Sequence, residues 1–435
     1  MQIHDLIGVG FGPSNIALAI ALQEQSRQPG AKNMFFIEKQ PQFAWHGDML
    51  LDNSHMQISF LKDLATMRNP ASRFTFLNYL HQKQRLQDFI NLKTFYPSRH
   101  EFSDYLRWAA DQFAEYCSYG DEVIEVLPEK RGDRVHLLRV RSRTADGLVH
   151  ERLTRNLVVS VGGSANIPDS FRPLRNDSRV FHSSSYLTNI ARQNDCRHIA
   201  VIGAGQSATE IFLDLHARNP QFEVDFVTRG RTIKPSDDSP FVNEIFNPEY
   251  TDYVFRQPDD IRSALLEEFM QTNYAAPDLA LIEQVYDVLY KQKVTGVQRH
   301  RLLRSHDVQG VRAEQDGIWL DLFDLDCGAR KPSRYDAVVL ATGYTRDQHK
   351  SLLAPLASYL PGFKADRYYR VESHDNFEPS IFLQGSCEPS HGISDTLLSV
   401  VAIRTDEIGQ ALRWAKPLSD ANPTAPEPRV PQFSF

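Results

Sequence analysis

Two glycine-rich turns, one near the N-terminus and one near the middle of the chain, constrain its fold more than any other feature. The first contains Gly8, Gly10 and Gly12, and the second contains Gly203 and Gly205. Each turn follows a short apolar run and precedes an amphipathic segment, which is the strand–turn–helix order of a phosphate-binding unit. Glycine lets the backbone approach a pyrophosphate, and the helix N-terminus supplies N–H groups and positive potential. The chain is therefore predicted to contain two Rossmann-like units.

The residues that follow the two turns differ in charge. Glu38 ends the apolar run after the first turn, and Arg229 follows the run after the second. A carboxylate suits free ribose hydroxyls, whereas a guanidinium suits a 2′-phosphate. One such turn alone is weak evidence, but the pair predicts FAD at the first turn and NADPH at the second. Pro13 replaces the third glycine of the first turn, and proline is compatible with the first turn of a helix.

Composition argues against several other classes of protein. The net charge of −7 and the pI of about 6.1 argue against a broad nucleic-acid-binding surface. The cysteines Cys117, Cys196, Cys327 and Cys387 form no Cys-x-x-Cys pair, which indicates reduced thiols in the cytoplasm. No run of about twenty apolar residues predicts a membrane span, and no basic region precedes the first apolar run as in a signal peptide. We expect a cytoplasmic protein with no metal site.

The order of predicted elements indicates an α/β fold with two Rossmann-like dinucleotide-binding domains and a small, mainly helical, substrate-binding insertion. The buried strand that ends at Ala341-Thr342-Gly343-Tyr344 is interpreted as part of the return to the first domain. The predicted limits are 1–165 and 330–415 for the FAD-binding domain, 166–236 and 301–329 for the NADPH-binding domain, 237–300 for the insertion, and 416–435 for a mobile tail.

Several side chains outside the glycine turns could surround a flavin. Trp45, His46 and Gln57 lie in a segment rich in aromatic and polar residues with little periodicity, and Thr342 and Gly343 follow a buried strand. Each observation also has an ordinary explanation. His46 could be a structural histidine, and a strand commonly ends in a glycine turn.

A second group of residues could bind a substrate, although ordinary roles stay open here too. Lys62 could be a solvated surface lysine, which is the usual position of a lysine. Asn243, Asn273 and Tyr274 lie on the predicted insertion, where asparagine most often serves the geometry of turns. Ser399, on an apolar segment, could be a packing residue.

Longer motifs are specific enough to indicate a family. The chain resembles the microbial N-hydroxylating monooxygenases of siderophore biosynthesis, and within them the L-ornithine N5-monooxygenase branch of the pyoverdine type, related to the lysine N6-hydroxylases. The similarity runs from residue 4 to about 412, nearly the whole chain. The motifs that carry it are 8–15 (GVGFGPSN), 56–66 (MQISFLKDLAT), 68–70 (RNP), 241–244 (FVNE), 272–274 (TNY), 341–344 (ATGY) and 391–399 (HGISDTLLS).

The resemblance implies roles for individual residues. Lys62 and Asn243 would hold the α-carboxylate and α-amine end of the substrate, with Asn273 and Ser399 nearer the flavin. Gln57 would lie beside the flavin, and pairing of Lys62 with a carboxylate would be a charge-assisted hydrogen bond. NADPH-contacting positions of the family fall on Gln206, Ser207, Arg229 and Tyr274.

The resemblance also implies the reaction. NADPH would reduce FAD, and the reduced flavin would add O2 to give a hydroperoxide that converts a primary amine into a hydroxylamine. No catalytic side chain beyond the flavin is expected, with Gln57 and Asn273 adjacent to it. Desolvation would favour the neutral amine, whose ordinary pKa is about 10.4. Bound NADP⁺ would shield the intermediate from water.

L-Ornithine is the expected substrate, as a step towards a hydroxamate siderophore. L-Lysine, putrescine, cadaverine and histamine stay open, because one methylene is worth only about 1–3 kcal/mol in an apolar pocket. The expected partners are this small amine and O2, with no nucleic acid and no membrane, in a homo-oligomer (dimer or tetramer).

Three other classes share part of this pattern. A flavin disulfide reductase would need a redox pair of cysteines, and a carbonyl-oxygenating monooxygenase would not need Lys62. A non-enzymatic flavoprotein would not need the second nucleotide unit. His182 to Tyr186 matches half of a related flavin-monooxygenase signature, but its preceding Phe-x-Gly is missing because position 176 is Asn.

Overall fold

The structure is a computed structural model that describes residues 2–25, 33–193 and 195–414. The tail predicted at 416–435 lies outside these residues. Within them the fold is α/β, as predicted, with two five-stranded parallel sheets that each carry one glycine turn. The helices, in chain order, are α1 (Pro13–Gln25), α2 (Phe76–Gln82), α3 (Leu86–Leu92), α4 (Arg99–Asp111), α5 (Tyr186–Ile190), α6 (Gln206–Arg218), α7 (Pro248–Arg256), α8 (Asp259–Asn273), α9 (Leu279–Thr295), α10 (Gln348–Leu352), α11 (Glu388–His391) and α12 (Val401–Trp414).

Strands are distributed over the two parallel sheets and three smaller sheets. In chain order they are β1 (Ile3–His4), β2 (Leu6–Val9), β3 (Met34–Glu38), β4 (Cys117–Tyr119), β5 (Asp121–Arg131), β6 (Arg134–Thr144), β7 (Val149–Thr154), β8 (Asn156–Val159), β9 (Ser164–Ala165), β10 (Val180–His182), β11 (His198–Ile202), β12 (Glu223–Val227), β13 (His300–Leu303), β14 (His306–Glu314), β15 (Gly317–Asp324), β16 (Arg330–Tyr335), β17 (Ala337–Leu340), β18 (Tyr344–Thr345) and β19 (Ser380–Leu383).

The first parallel sheet has the order β19-β8-β2-β3-β4. Strand β2 pairs with β3, the next strand of the sheet along the chain, on one side and with the distant β8 on the other. This change of direction is a topological switch point, where α/β proteins bind ligands. Helix α1 is buried from Asn15 to Leu22 and packs against α12, which explains why its sequence is apolar nearly all round.

The second parallel sheet has the order β10-β17-β11-β12-β13, with β11 at its switch point between β12 and β17. Strand β17 therefore belongs to this sheet. The predicted limit at residue 330 placed it in the FAD-binding domain. The sequence did not indicate the observed pairing, because the strands that β17 pairs with, β10 and β11, lie far away in the sequence. The other limits of the domains stay a prediction.

Smaller sheets flank the two parallel ones. Strands β14, β15 and β16 form an antiparallel sheet, and β5, β6 and β7 form another that β1 joins in parallel. The pair β9–β18 joins the segments that follow β8 and β17, so it lies where the chain passes between the two parallel sheets.

The segment predicted as an insertion contains α7, α8 and α9. These helices do not form one separate unit. Val285 of α9 belongs to the apolar core of the second parallel sheet, together with Ile211 and Phe212 of α6. In contrast, α7 and α8 pack against α11.

Candidate active site

The first glycine turn lies at the switch point of the first parallel sheet and continues into α1. Gly10 has φ +83°, and a Cβ atom there would come within 2.5 Å of the carbonyl oxygen of Ser160. A side chain at Gly12 would meet nothing within 4 Å, so the backbone at this end of α1 faces open space. Gly8 and Pro13 bracket the turn. A dinucleotide pyrophosphate fits this open, amide-rich position at a helix N-terminus.

Glu38 ends β3 beside the same turn. Its Oε2 accepts a hydrogen bond from the Phe11 amide at 2.7 Å, and its Oε1 accepts one from the Gln40 amide at 2.9 Å. These bonds fix the carboxylate at the mouth of the turn. Each oxygen keeps further acceptor capacity, which fits the predicted contact with ribose hydroxyls.

A buried polar cluster, which the sequence did not predict, holds the first turn in place. The Asn15 side chain donates to the Gly10 carbonyl at 2.7 Å and accepts from Ser160 Oγ and Gln384 Nε2, both at 3.1 Å. Arg404, only 2% exposed, donates to Ser14 Oγ at 3.1 Å and pairs with Asp395. Gln384 Oε1 is buried without a hydrogen-bond partner among the described residues. The only sequence signal was the position of Asn15 directly after the turn.

The second glycine turn repeats this geometry in the second parallel sheet. Gly203 has φ +151°, and a Cβ atom there would collide with the Ala341 carbonyl oxygen. Gly205 precedes α6 without a side-chain cap, so Gln206 and Ser207 begin the helix with amides available to a ligand. Arg229 is exposed and forms no ion pair within the described residues. The unpaired guanidinium of Arg229, just after β12, fits the predicted contact with the 2′-phosphate of NADPH.

A carboxylate joins the residues predicted beside the two cofactors. Asp278 accepts hydrogen bonds from Gln57 Nε2 at 3.2 Å and from Gln206 Nε2 at 3.1 Å. The Asp278 amide donates in turn to Gln206 Oε1 at 3.0 Å. Gln57 and Gln206 lie far apart in the sequence, and the structure brings them together through this residue. Asp278 was not predicted, because an aspartate at a helix start looks like an ordinary cap.

A buried ion pair connects the helices of the two parallel sheets. Arg99 begins α4 and binds both carboxylate oxygens of Glu210 in α6, at 2.9 and 2.6 Å. Their side chains are only 12% and 3% exposed. Glu210 also accepts from Gln206 Nε2 at 2.9 Å, so the pair supports the start of the second nucleotide unit.

His46 lies beside Tyr344 of β18, near the connection between the two parallel sheets. Its backbone is left-handed (φ 50°), and its ring lies 4.9 Å from the Trp45 ring and 6.4 Å from the Tyr344 ring. His46 is exposed to solvent on one side, although protein atoms around its ring remove much of its hydration. Desolvation, followed by the charges of Arg99 and Arg346, lowers the pKa of His46 to about 4. His46 is therefore neutral at pH 7. The neighbouring Trp45 packs on Phe102, with 5.8 Å between the ring centroids.

Thr342 and Gly343 form the crossing between the sheets. Thr342 Oγ1 donates to the Asn166 carbonyl at 2.5 Å, and Asn166 Nδ2 donates back to the Thr342 carbonyl at 3.0 Å. The Gly343 carbonyl lies 2.9 Å from His182 Nε2. These contacts make both residues part of the connection between domains, and their predicted contact with a cofactor stays a prediction.

Lys62 has the features of an anion-binding residue. Its side chain is half-buried, and burial lowers the pKa of its ammonium group. No carboxylate within the described part of the chain pairs with it. The Lys62 amide donates to the Ser59 carbonyl at 2.9 Å, which fixes the backbone of this turn.

The other three predicted substrate residues lie on segments that pack together. Asn273 ends α8, Asn243 lies in the short 3-10 helix Val242–Phe246, and Ser399 is buried shortly after the turn Ile393–Thr396. Both α8 and Val242–Phe246 pack against that turn. Asn243 Nδ2 donates to the Asp238 carbonyl at 2.7 Å. No described contact joins Lys62 to these three residues.

Tyr274 continues from α8 towards the same turn. Its hydroxyl donates to Glu388 and lies 3.2 Å from Thr396 Oγ1. Burial and the Glu388 carboxylate raise the pKa of the Tyr274 phenol, and burial also raises the pKa of Glu388. A cavity of about 360 Å³ opens beside Tyr274 and Met270. Since the hydroxyl is already bonded, the predicted contact with NADPH would use the ring.

The described residues contain no group of His, Cys, Asp and Glu that could hold a metal ion. No helix in that part of the chain is long and apolar enough to cross a membrane. All four cysteines are unpaired.

Comparison with known proteins identifies what the chain resembles. The family model for L-lysine 6-monooxygenase/L-ornithine 5-monooxygenase matches residues 2–346. The L-ornithine N(5)-monooxygenase of Pseudomonas aeruginosa is 49% identical over 414 residues, 94% of each chain, and that of Burkholderia cepacia is 51% identical over 404 residues, 90% of each.

Solved structures agree with these relatives. Ornithine hydroxylase from Pseudomonas aeruginosa superposes with a TM-score of 0.92 at 49% identity, covering 95% of this chain and 100% of that one. The ornithine N-hydroxylase from Kutzneria sp. 744, with reduced FAD, NADP⁺ and L-ornithine, gives a TM-score of 0.89 at 34% identity over 95% and 99% of the two chains.

Proposed function

This chain belongs to the L-lysine 6-monooxygenase/L-ornithine 5-monooxygenase family, and from that premise we propose that it hydroxylates the side-chain nitrogen of L-ornithine for a hydroxamate siderophore. It is a flavin N-monooxygenase whose cofactors are FAD and NADPH. The structural observation that carries the choice of substrate is Lys62, a half-buried ammonium group with no carboxylate partner in the described chain.

The two glycine turns are the parts of the chain that would hold the cofactors. Gly10, Gly12 and Glu38 would bind FAD, and Gly205, Gln206 and Arg229 would bind NADPH. FAD bound there and reduced by NADPH would activate O2, so that one oxygen atom of O2 passes to the amine and the other leaves as water. The protein contributes binding, orientation and exclusion of water.

Lys62 would bind the α-carboxylate of ornithine by a charge-assisted hydrogen bond. Asn243, Asn273 and Ser399 would supply polar contacts from the opposite segments. The amine that reacts must be neutral to act as a nucleophile, and desolvation in a closed site lowers the pKa of an alkylamine.

The enzyme would act in the cytoplasm as a homo-oligomer. Unpaired cysteines suit a reducing compartment. Burial raises the pKa of Cys387 far above its ordinary value and that of Cys196 to about 11, so neither is suited to thiolate redox chemistry.

A product screen tests the proposed substrate. The holoenzyme is incubated with NADPH and, separately, L-ornithine, L-lysine, putrescine, cadaverine and histamine, and both NADPH oxidation and hydroxylamine formation are measured. Ornithine should give the highest kcat/KM and equal amounts of hydroxylamine and NADP⁺. A higher kcat/KM for a diamine or histamine would contradict recognition of a carboxylate, and a higher value for lysine would change only the length of the substrate.

A further inference from the structure

The segment 273–278 runs from the end of α8 to the start of α9 and lies against the second glycine turn. A Cβ atom at Gly205 would be only 3.4 Å from the Cα atom of Ala275, so the segment packs directly on the turn. Asp278, at the other end of the segment, exchanges hydrogen bonds with Gln206, the first residue of α6. The segment therefore borders the position at which the nicotinamide nucleotide would bind.

The backbone of this segment is held in an unfavourable conformation. Ala275 has φ +56°, in the left-handed region that residues other than glycine rarely adopt. Such a residue keeps this conformation only when the contacts around it fix it there. On one side, Asp278 accepts hydrogen bonds from Gln57 and Gln206. On the other side, the fixing contact is the hydroxyl of Tyr274.

Helix α8 cannot fix Tyr274 through core packing, although Tyr274 follows it directly. None of the fifteen described residues of α8 is buried. The Tyr274 hydroxyl instead donates to Glu388 of α11 and lies 3.2 Å from Thr396 Oγ1. Within the described residues it is the one hydrogen-bond donor to the Glu388 side chain, and burial raises the pKa of that carboxyl. Loss of the hydroxyl would therefore leave a half-buried carboxylate without a donor.

The position of Glu388 is itself fixed by the first nucleotide unit. The amide of the preceding residue, Cys387, donates to Asp395 at 2.6 Å. Asp395 pairs in turn with Arg404, the buried arginine of the polar cluster at the first glycine turn. The hydrogen bond between Glu388 and the tyrosine thus joins that cluster to the segment at the second turn.

We propose that Glu388 is a positioning residue for the nicotinamide nucleotide, because through the Tyr274 hydroxyl it holds segment 273–278 over the pyrophosphate at the second glycine turn. This role rests on the proposed binding of NADPH at that turn, and not on the choice of amine. Without the hydrogen bond, Ala275 could leave its left-handed conformation and the segment could move away from the turn. The nucleotide would then dissociate more readily, whereas FAD, at the other turn, would bind as before.

Calorimetric titration of the FAD-loaded enzyme with NADP⁺ tests this role. Glu388→Gln removes the charge and Tyr274→Phe removes the hydroxyl, while both keep the size of the side chain. Each should raise the Kd for NADP⁺ about tenfold. The double variant should stay within about twofold of the weaker-binding single variant, because both changes remove the same contact. Glu267→Gln is the matched control: this exposed carboxylate lines the same cavity, and its loss should leave the Kd unchanged.

Anaerobic reduction of the flavin by NADPH separates positioning from a general structural role. In Glu388→Gln, the NADPH concentration that gives half the maximal rate should rise with the Kd. The maximal rate and the FAD content per chain should stay within about twofold of the parent values. If Glu388→Gln folds poorly, Tyr274→Phe gives the same test from the other side of the bond, since it keeps the aromatic ring.

An unchanged Kd for NADP⁺ in both single variants would overturn the proposal, as would effects that multiply in the double variant or an equal effect of Glu267→Gln. A lower maximal rate of reduction at an unchanged half-saturating concentration would place Glu388 on the flavin side and overturn it too. A parent enzyme that does not bind NADP⁺ would contradict the proposed function as well, so the two failures are distinguishable.

Discussion

At the scale of single residues, Lys62 shows how burial without a partner indicates a ligand. A half-buried ammonium group loses solvation, and burial lowers its pKa. A lysine that was only structural would normally gain a carboxylate partner in return. The α-carboxylate of an amino acid supplies that missing charge, which a diamine lacks.

We expect Lys62→Ala to raise KM for ornithine about ten- to a hundred-fold, because one hydrogen bond to a charged group contributes about 1.5–3 kcal/mol. Steady-state kinetics with ornithine and with putrescine separates carboxylate binding from a general loss of activity, since KM for putrescine should change little. Lys331→Ala, which removes an exposed lysine of β16, is the matched control. An unchanged KM for ornithine in Lys62→Ala would assign Lys62 to another role.

Arg229 gives the corresponding test for the second nucleotide. Arg229→Ala should raise KM for NADPH about tenfold or more and leave KM for NADH nearly unchanged, because only NADPH carries the 2′-phosphate. Arg231 is the control: it lies two residues later, is exposed and already pairs with Asp326. Equal effects of Arg229→Ala on both nucleotides would contradict the assignment.

Residues that depend on distant partners were the ones that sequence reasoning missed. The glycine turns, Glu38 and Arg229 are local signals, since each lies at a fixed place after a strand. Asn15, Gln384 and Arg404 meet only in the folded protein, and a buried arginine on α12 cannot be distinguished from a surface arginine by its neighbours in sequence. Asp278 was missed for the same reason, as its partners Gln57 and Gln206 lie on other elements.

At the scale of elements, helices and strands followed from periodicity, whereas their partners did not. Both glycine turns continue into helices, α1 and α6, as the strand–turn–helix pattern predicted. The strand β17 was found, but it was placed with the wrong sheet, because an all-apolar strand carries no information about which parallel neighbour it joins.

Asp225 on β12 shows how cross-strand contacts stabilise the second sheet. It accepts hydrogen bonds from Arg301 of β13 at 2.7 and 2.5 Å and from the Tyr335 hydroxyl at 2.7 Å. Burial alone would raise its pKa, but hydrogen bonds from His198, Arg301 and Tyr335 outweigh burial and lower the pKa of Asp225 to about 2. The folded state therefore favours the charged carboxylate.

We expect Asp225→Asn to lower the free energy of unfolding at pH 7 by roughly 2 kcal/mol, from a pKa shift worth about 1.4 kcal/mol per unit. Because the folded pKa lies below the unfolded value of 3.8, this stabilisation is complete above that value and is lost as the pH falls towards 2. Urea unfolding at several pH values should show the difference between parent and variant shrinking below about pH 4. Asp326→Asn, at an exposed pair, should show little difference at any pH.

At the scale of the whole molecule, the relative position of the two nucleotide units matters, because NADPH must reach FAD to reduce it. The Arg99–Glu210 pair links α4 to α6 across this boundary, with both side chains nearly buried. Asp278 links Gln57 to Gln206 nearby. These contacts join segments that are distant in sequence, and for that reason no local pattern predicted them.

Glu210→Gln should therefore destabilise the holoenzyme by about 3–5 kcal/mol, because it leaves the buried Arg99 guanidinium without its counter-charge. Urea unfolding measures this loss, and Glu314→Gln, at the exposed pair with Arg312, should change stability by only about 0–1 kcal/mol. The double variant Arg99→Met/Glu210→Met should recover much of the stability, since a well-packed apolar pair replaces a buried ion pair at little cost. If the pair also fixes the relation between the units, Glu210→Gln will raise KM for NADPH, whereas the exposed control will not. Equal stability of Glu210→Gln and Glu314→Gln would show that the contact between α4 and α6 does not hold the two units together.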